Sequence, residues 1–225
     1  MMRLVIRVGG SVIASPFNPK LMNAYVKLLL DLKRQGHMVG AVIGGGSLSR
    51  ELIKTARTMG LSEPAQDEVA ISVSRVVAQL FVLKLGFHGT LTVPTNIEDA
   101  ANLFGKSNIV VMGGLKPGMT TDAVAAMLAE RVNADLLVKA SNVDGIYTKD
   151  PNKYKDAEKL QSVRFNDLRG LFEKQKHEAG IHQVIDPEAI HILHKNKIKT
   201  VVVSGFKPEN VLVAVKGEEV GTLIS

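Results

Sequence analysis

Three glycine-rich turns, each placed directly after an apolar run, constrain this chain more than any other feature. Val8-Gly9-Gly10-Ser11 follows Leu4–Arg7, Gly44-Gly45-Gly46 follows Met38–Ile43, and Met112-Gly113-Gly114 follows Ile109–Val111. A buried strand that ends in residues without side chains and then enters a helix leaves backbone N–H groups turned outward. That arrangement suits an anion, and phosphate above all. One such motif is equally a plain turn. Three of them at strand ends predict a site that holds several phosphates along one edge of a sheet.

The apolar runs Leu4–Val8, Met38–Ile43, Thr90–Pro94, Ile109–Met112, Asp135–Ala140, Thr200–Ser204 and Thr222–Ile224 read as strands. They are continuous rather than alternating, as when both faces of a sheet are covered. Helical segments lie between them: Lys20–Gln35, Leu48–Met59, Glu63–Leu85, Ile97–Phe104 and Asp122–Asn133. Gly36, Gly60 and Gly86 stand as C-terminal stops for the first three. Asp186-Pro187-Glu188 places an N-cap before a proline at the first helical position and opens a helix to about Lys195. The alternation predicts a three-layer α/β/α sandwich with a mainly parallel central sheet, in one domain over residues 1–225. Tyr147–Lys159 is polar, holds Pro151 and has no periodicity. It reads as a long loop or short hairpin leading into Asn166–Gln175, placed to cover a ligand beyond the carboxyl ends of the strands.

Composition narrows the function classes. Hydrophobic residues make up 45% and charged residues 22%, a globular balance. No apolar run reads as long enough for a membrane span, and the start runs directly into a strand, so no signal peptide is expected. The absence of cysteine removes disulfides, thiolate metal sites and a cysteine nucleophile. A cytoplasmic enzyme fits best. The net charge of +6 is scattered and aromatic residues are only 4%, so a mild attraction for small anions is expected rather than nucleic acid. A hydrolase elbow and a Walker P-loop are both absent. His191 and His194 have i,i+3 spacing without an evident third ligand, and His37, His88, His177 and His182 form no pattern, so no protein-held metal is expected.

Several side chains stand beside the glycines. Arg7 lies at a strand end, where it can neutralise phosphate charge. Ser11 adds a hydroxyl and an N–H. Arg50 falls in the first turn of a predicted helix, where a cation opposes the helix dipole unless an anion is present. Gly113-Gly114-Leu115-Lys116-Pro117-Gly118-Met119-Thr120-Thr121-Asp122 is a shaped loop ending at a helix start. Its hydroxyls can hold a phosphate or carboxylate, and Thr120 or Thr121 can equally cap the helix. Ser141, Asn142, Tyr147 and Asp150 can line an adenine–ribose pocket or close a turn.

Taken in order, these segments resemble the amino acid kinase superfamily, and within it the archaeal-type uridylate kinases. The resemblance is carried by Gly9-Gly10-Ser11, Gly44–Arg50, Ser62-Glu63 with Asp67, Arg75, Gly113–Glu130, Asn142–Tyr147 with Asp150-Pro151, and Val184–Pro187, which span nearly the whole chain. It implies ATP- and Mg²⁺-dependent phosphorylation of UMP to UDP in pyrimidine nucleotide synthesis. On matching positions it implies that Gly45, Asp67 and the loop Leu115, Lys116, Pro117, Gly118, Met119, Thr120 and Thr121 hold UMP. Gly10, Ser11, Gly46 and Arg50 would hold the ATP phosphates, and Ser141, Asn142, Tyr147 and Asp150 the adenosine. Asp122 would organise the reacting groups, with Arg7 and Arg50 offsetting charge and Asp186 supporting the nucleotide edge. Magnesium would ride on the nucleotide phosphates, and the resemblance implies a homo-hexamer built as a trimer of dimers. Arg7 stands where many members carry lysine, which keeps the charge and changes the geometry. Leu115 and Ser141 stand where threonine is common, and Val77 where asparagine is. A relative acting on another small phosphate or carboxylate, such as isopentenyl phosphate kinase or acetylglutamate kinase, and a non-catalytic nucleotide-sensing module are the alternatives.

Overall fold

The computed structural model describes residues 1–104, 109–151, 153–168 and 184–225. Strand β1 (Arg3–Val8) lies inside the sheet, parallel to β2 (Met38–Ile43) on one side and β4 (Leu136–Ser141) on the other. Beyond β2 comes β3 (Val110–Met112), and beyond β4 comes β8 (Thr200–Ser204), both parallel to their neighbours. The edge is completed by β9 (Thr222–Ile224), antiparallel to β8, and by the short β7 (Ser162–Val163). The order is β3-β2-β1-β4-β8-β9-β7 in a seven-stranded sheet. A separate hairpin, β5 (Ile146–Tyr147) with β6 (Lys159–Leu160), brackets the polar stretch after β4.

Each central strand is buried on both faces, so its alternate residues enter two different cores. Leu4, Ile6 and Val8 of β1 join Val138 and Ala140 of β4 against α2 (Pro19–Arg34), α4 (Glu63–Leu85) and α8 (Glu209–Val215). Val5 of β1 and Leu137 of β4 face α5 (Ile97–Phe104), α6 (Thr121–Arg131) and α7 (Pro187–Lys195). The two layers of helices leave the carboxyl ends of β1, β2 and β3 to the glycine turns. Short α1 (Gly10–Ile13) and α3 (Gly46–Thr58) begin there.

The helix stops behave as their chemistry requires. Gly36, Gly60 and Gly86 take φ values of +86°, +77° and +55°, the left-handed region that glycine enters at little cost. Asp186 caps α7 by accepting from the Ala189 N–H at 3.0 Å. Thr120, rather than Thr121, caps α6, accepting from the Ala123 N–H at 3.1 Å.

Two expectations are corrected. Thr90–Pro94 is not a strand: only Gly89 forms an isolated bridge, to Ile109. The Thr90 hydroxyl turns onto the Thr92 carbonyl at 2.8 Å and Pro94 has no N–H to give, so the segment bends away from the sheet. The expectation about apolar length also fails, because Glu63–His88 is long and apolar enough by length and composition to cross a membrane, with mean hydropathy 1.6. Its inner face is core: Val77, Ala78, Phe81 and Val82 pack against α2 and the sheet. Of the segment Asn166–Gln175 only residues 166–168 fall among the described residues, and His177 and His182 lie outside them.

Candidate active site

The glycines are first of all contact points between loops. A Cβ on Gly10 would lie 2.2 Å from the Gly46 nitrogen, and one on Gly46 would lie 2.1 Å from the Ala14 carbonyl oxygen. Only residues without side chains let the turns after β1 and β2 touch. This closeness consumes part of what the sequence left bare. The Gly44 N–H donates to the Val8 carbonyl at 3.1 Å and the Ser47 N–H to Ala14 at 2.8 Å, so neither turns outward. The amides of Gly10 and Ser11 in α1, and of Gly46 at the start of α3, belong to first turns and have no partner within their own helices. Arg50 is exposed, and its Nη2 donates to the Ser15 hydroxyl at 3.0 Å, which ties α3 to the end of α1.

Asp122 is the centre of charge. It sits in the first turn of α6 between two cations from neighbouring strands. Its Oδ1 lies 2.7 Å from Arg7 Nε, and its Oδ2 meets Lys139 Nζ. The side chains of Arg7, Asp122 and Lys139 are 17%, 12% and 7% exposed, so water does little of the neutralising. Burial pushes the Asp122 carboxyl up, but the charges of Arg7 and Lys139 outweigh it and hold the group below its ordinary range. Arg7 Nη2 also donates to Thr121 Oγ1 at 2.9 Å, and the Thr120 hydroxyl meets Asp186 Oδ2. Helices α6 and α7 thus share one hydrogen-bonded start.

Helix α4 pins the loop that precedes α6. Arg75 donates from Nε to the Gly114 carbonyl and from Nη2 to the Leu115 carbonyl, both at 2.9 Å. The Ser74 hydroxyl accepts from the Gly114 N–H at 2.7 Å, and Asp67 Oδ2 accepts from the Gly118 N–H at 2.7 Å. Gly118 needs its φ of +78° to make that turn. Between loop and helix lies a cavity of about 190 Å³ lined by Gly45, Asp67, Met119, Thr120 and Thr121, with Ser49 and Ser74 among the rest. Leu115 instead packs against the core beneath α6, Lys116 and Gly118 are exposed, and Pro117 is half-buried. Ser141 ends β4, and Asn142, Tyr147 and Asp150 follow it. Ser141 is buried and Asn142 exposed, and Tyr147 donates to Asp144 Oδ1 at 2.8 Å. A larger cavity, about 830 Å³, opens at the opposite ends of the strands among Asp135, Lys199 and Gly221, and no predicted site residue lines it.

The chain matches the model of the amino acid kinase family over residues 2–204. It belongs to that family. The uridylate kinase of Methanocaldococcus jannaschii is 42% identical over 225 residues, covering 99% of each chain. That of Methanothermobacter thermautotrophicus is 39% identical over 223 residues, again 99% of each. The crystal structure of uridylate kinase from Archaeoglobus fulgidus superposes with a TM-score of 0.89 at 38% identity, covering 100% of both chains. The UMP kinase of Bacillus anthracis, at 22% identity and a TM-score of 0.84, shares the fold.

Set on this amino acid kinase fold, the residues named from sequence fall into two groups. Gly10, Gly45, Gly46, Asp67, Thr121, Asp122 and Arg7 meet around the carboxyl ends of β1 and β2, with the loop before α6 beside them. Arg50 stands outside the buried charge cluster. Sequence reasoning gave no task to Lys139, Ser74 or Arg75. For Lys139 the signal was present: a charge inside the run Leu136–Ala140, expected to be buried on both faces. Ser74 had none and Arg75 stood only in the family pattern, because their role depends on which loop α4 lies against. His194 stacks on Phe165, with ring centroids 5.5 Å apart, and serves packing.

Proposed function

We infer that this chain acts as a uridylate kinase, moving the terminal phosphoryl group of ATP to a phosphate oxygen of UMP and releasing ADP and UDP. The observation that carries the reading is the meeting of Asp67, Thr121 and the Gly113–Thr121 loop at one cavity, next to the Arg7–Asp122–Lys139 cluster. The full-length likeness to archaeal uridylate kinases supports it. Asp67 holds Gly118 with one carboxylate oxygen and offers the other to the ribose hydroxyls. Thr120 and Thr121 take the acceptor phosphate at the positive end of α6. The amides of Gly10, Ser11 and Gly46 with Arg50 take the ATP phosphates, and Ser141, Asn142, Tyr147 and Asp150 the adenosine.

Phosphoryl transfer asks for alignment and charge neutralisation more than for covalent chemistry. A UMP phosphate is already an anionic nucleophile near neutral pH, so no general base is needed. Arg7 supplies positive charge where the transferring group passes, and Asp122 keeps that guanidinium in place. Magnesium enters with ATP on its phosphates: both oxygens of Asp122 are engaged by cations, which leaves the ion to the nucleotide. The reading takes residues 1–225 as a single kinase domain, supported by one sheet to which residues 3 through 224 contribute. It places the enzyme in the cytoplasm, acting on UMP and ATP.

Initial rates with UMP, CMP, dTMP, isopentenyl phosphate and acetylglutamate test the substrate. UMP is expected to turn over fastest, because Asp67 supplies the carboxylate that a ribose diol wants and an isoprenoid tail does not. Faster turnover of isopentenyl phosphate or an amino acid would overturn the assignment. Assembly into a homo-hexamer, a trimer of dimers, is part of the same reading. Val76, Leu80 and Leu83 form an exposed apolar stripe along α4, continued by Phe87. Light scattering at micromolar concentration is expected to return a multiple of 24.3 kDa, and a monomer mass would contradict it.

A further inference from the structure

Lys139 is a buried cation that the mechanism above leaves without a task. Its strand neighbours Leu137, Val138 and Ala140 are all buried, and its register partners are Arg7 on β1 and Val202 on β8. Its Nζ ends on Asp122 Oδ2, while Oδ1 of the same carboxylate faces Arg7 Nε at 2.7 Å. That contact pairs the charges without hydrogen-bond alignment, and the terminal nitrogens of Arg7 reach further. Nη2 donates to Thr121 at 2.9 Å, and Nη1 lies 3.0 Å from where a Cβ of Gly9 would be, over the first glycine turn. A buried ion pair of this kind is weak evidence for stability, since desolvation offsets most of the attraction. It does define orientation. Without Lys139 the carboxylate would keep Arg7 and the Asp186 backbone N–H but would lose the cation that holds Oδ2.

We propose that Lys139 is a positioning residue for phosphoryl transfer: by anchoring Oδ2 of Asp122 it fixes the carboxylate, and through it the guanidinium of Arg7 that spans Thr121 and the Gly9 turn. The inference rests on the kinase reading of the site. The charged groups that face Lys139 are Asp122 from α6, Arg7 from β1 and Asp186 at the start of α7. Burial, and then the charge of Arg7, lower the Lys139 ammonium to about 8, against the pull of Asp122 and Asp186. Above that pH the anchor loses its charge and Asp122 keeps only one cation. Stability moves the other way. The folded value lies below the ordinary 10.5, so between the two the unfolded chain binds more protons and this group's contribution rises with pH. A fall in activity through that window therefore does not come from unfolding linked to Lys139.

Steady-state kinetics with ATP and UMP from about pH 6.5 to 9.5, with melting temperatures, test the proposal on wild type, Lys139→Met, Lys139→Arg, Asp122→Asn and the Lys139→Met/Asp122→Asn double variant. Lys139→Met is expected to lower kcat by about tenfold or more with both KM values little changed, the signature of a misplaced catalytic group. The same change should cost little further in the Asp122→Asn background, because Lys139 acts through that carboxylate. Wild-type kcat should fall as pH rises through about 8, and Lys139→Arg, whose charge persists, should lack that fall. An unchanged kcat in Lys139→Met, or losses that multiply in the double variant, would overturn the proposal. If Lys139→Met does not fold, an alkaline fall shared by wild type and Lys139→Arg would overturn it equally. A wild-type protein inactive toward UMP would instead sink the kinase reading.

Discussion

Asp122→Asn is expected to lower kcat by about 10²-fold or more while the protein stays folded, the scale of losing one preorganised electrostatic group. Asparagine has nearly the same size, and the start of α6 does not depend on Asp122, since Thr120 makes the cap. What disappears is the negative charge shared by Arg7 Nε and Lys139 Nζ. Two buried cations then face a neutral amide, with no negative charge between them. Breaking a buried pair is ordinarily costly, because a charge is left uncompensated. Here Lys139 has an escape. Burial and Arg7 already lower its ammonium to about 8, and removing Asp122 takes away a group that was raising it, so it sheds its proton more easily still. The variant relaxes by losing a proton rather than by unfolding, and Arg7 loses the partner that aimed it. Measuring kcat, both KM values and the melting temperature on one preparation separates the roles. A near-normal kcat would reduce Asp122 to a residue of the helix start.

The sheet was legible because its strands announce themselves. Runs such as Met38–Ile43 and Thr200–Ser204 are buried on both faces, and nothing but a covered parallel sheet asks for that. Helix ends were legible where glycine or an Asp-Pro pair fixes them. Thr90–Pro94 misled because composition alone looks strand-like, while hydrogen bonding to Thr92 and the missing proline donor decide otherwise. Short α1 escaped notice because four residues carry no periodicity. The site divides along the same line. Thr121 and Asp122 were visible as polar residues at a helix start after a glycine turn, and Asp67 only through the family pattern. Arg75 was visible only as part of a family pattern, since its two bonds to Gly114 and Leu115 are made across 39 and 40 residues of sequence. Lys139 could have been found by asking why a charge interrupts an apolar strand.

Gly10→Ala is the second substitution with a large expected effect, and it separates packing from binding. An added methyl would lie 2.2 Å from Gly46 N, 2.7 Å from Gly44 C and 2.8 Å from Gly46 Cα. All three are backbone atoms, so no side-chain rotation relieves the clash and the turns after β1 and β2 must move apart. Overpacking of this kind costs about 1–3 kcal/mol, which for a domain of this size lowers the melting temperature by roughly 3–10 °C. If the amides of Gly10, Ser11 and Gly46 hold the ATP phosphates, KM for ATP should also rise by about tenfold or more, because those donors are displaced together. KM for UMP should change less, since the acceptor cavity is bounded by α4 and the loop before α6. Gly36→Ala provides the contrast. Its φ of +86° strains an alanine, but the added methyl meets nothing within 4 Å and the turn lies far from the glycine loops, so stability alone should fall. If Gly10→Ala behaves like Gly36→Ala, losing melting temperature with KM for ATP unchanged, the glycine turns serve only to let two loops touch, and the ATP phosphates must be held elsewhere.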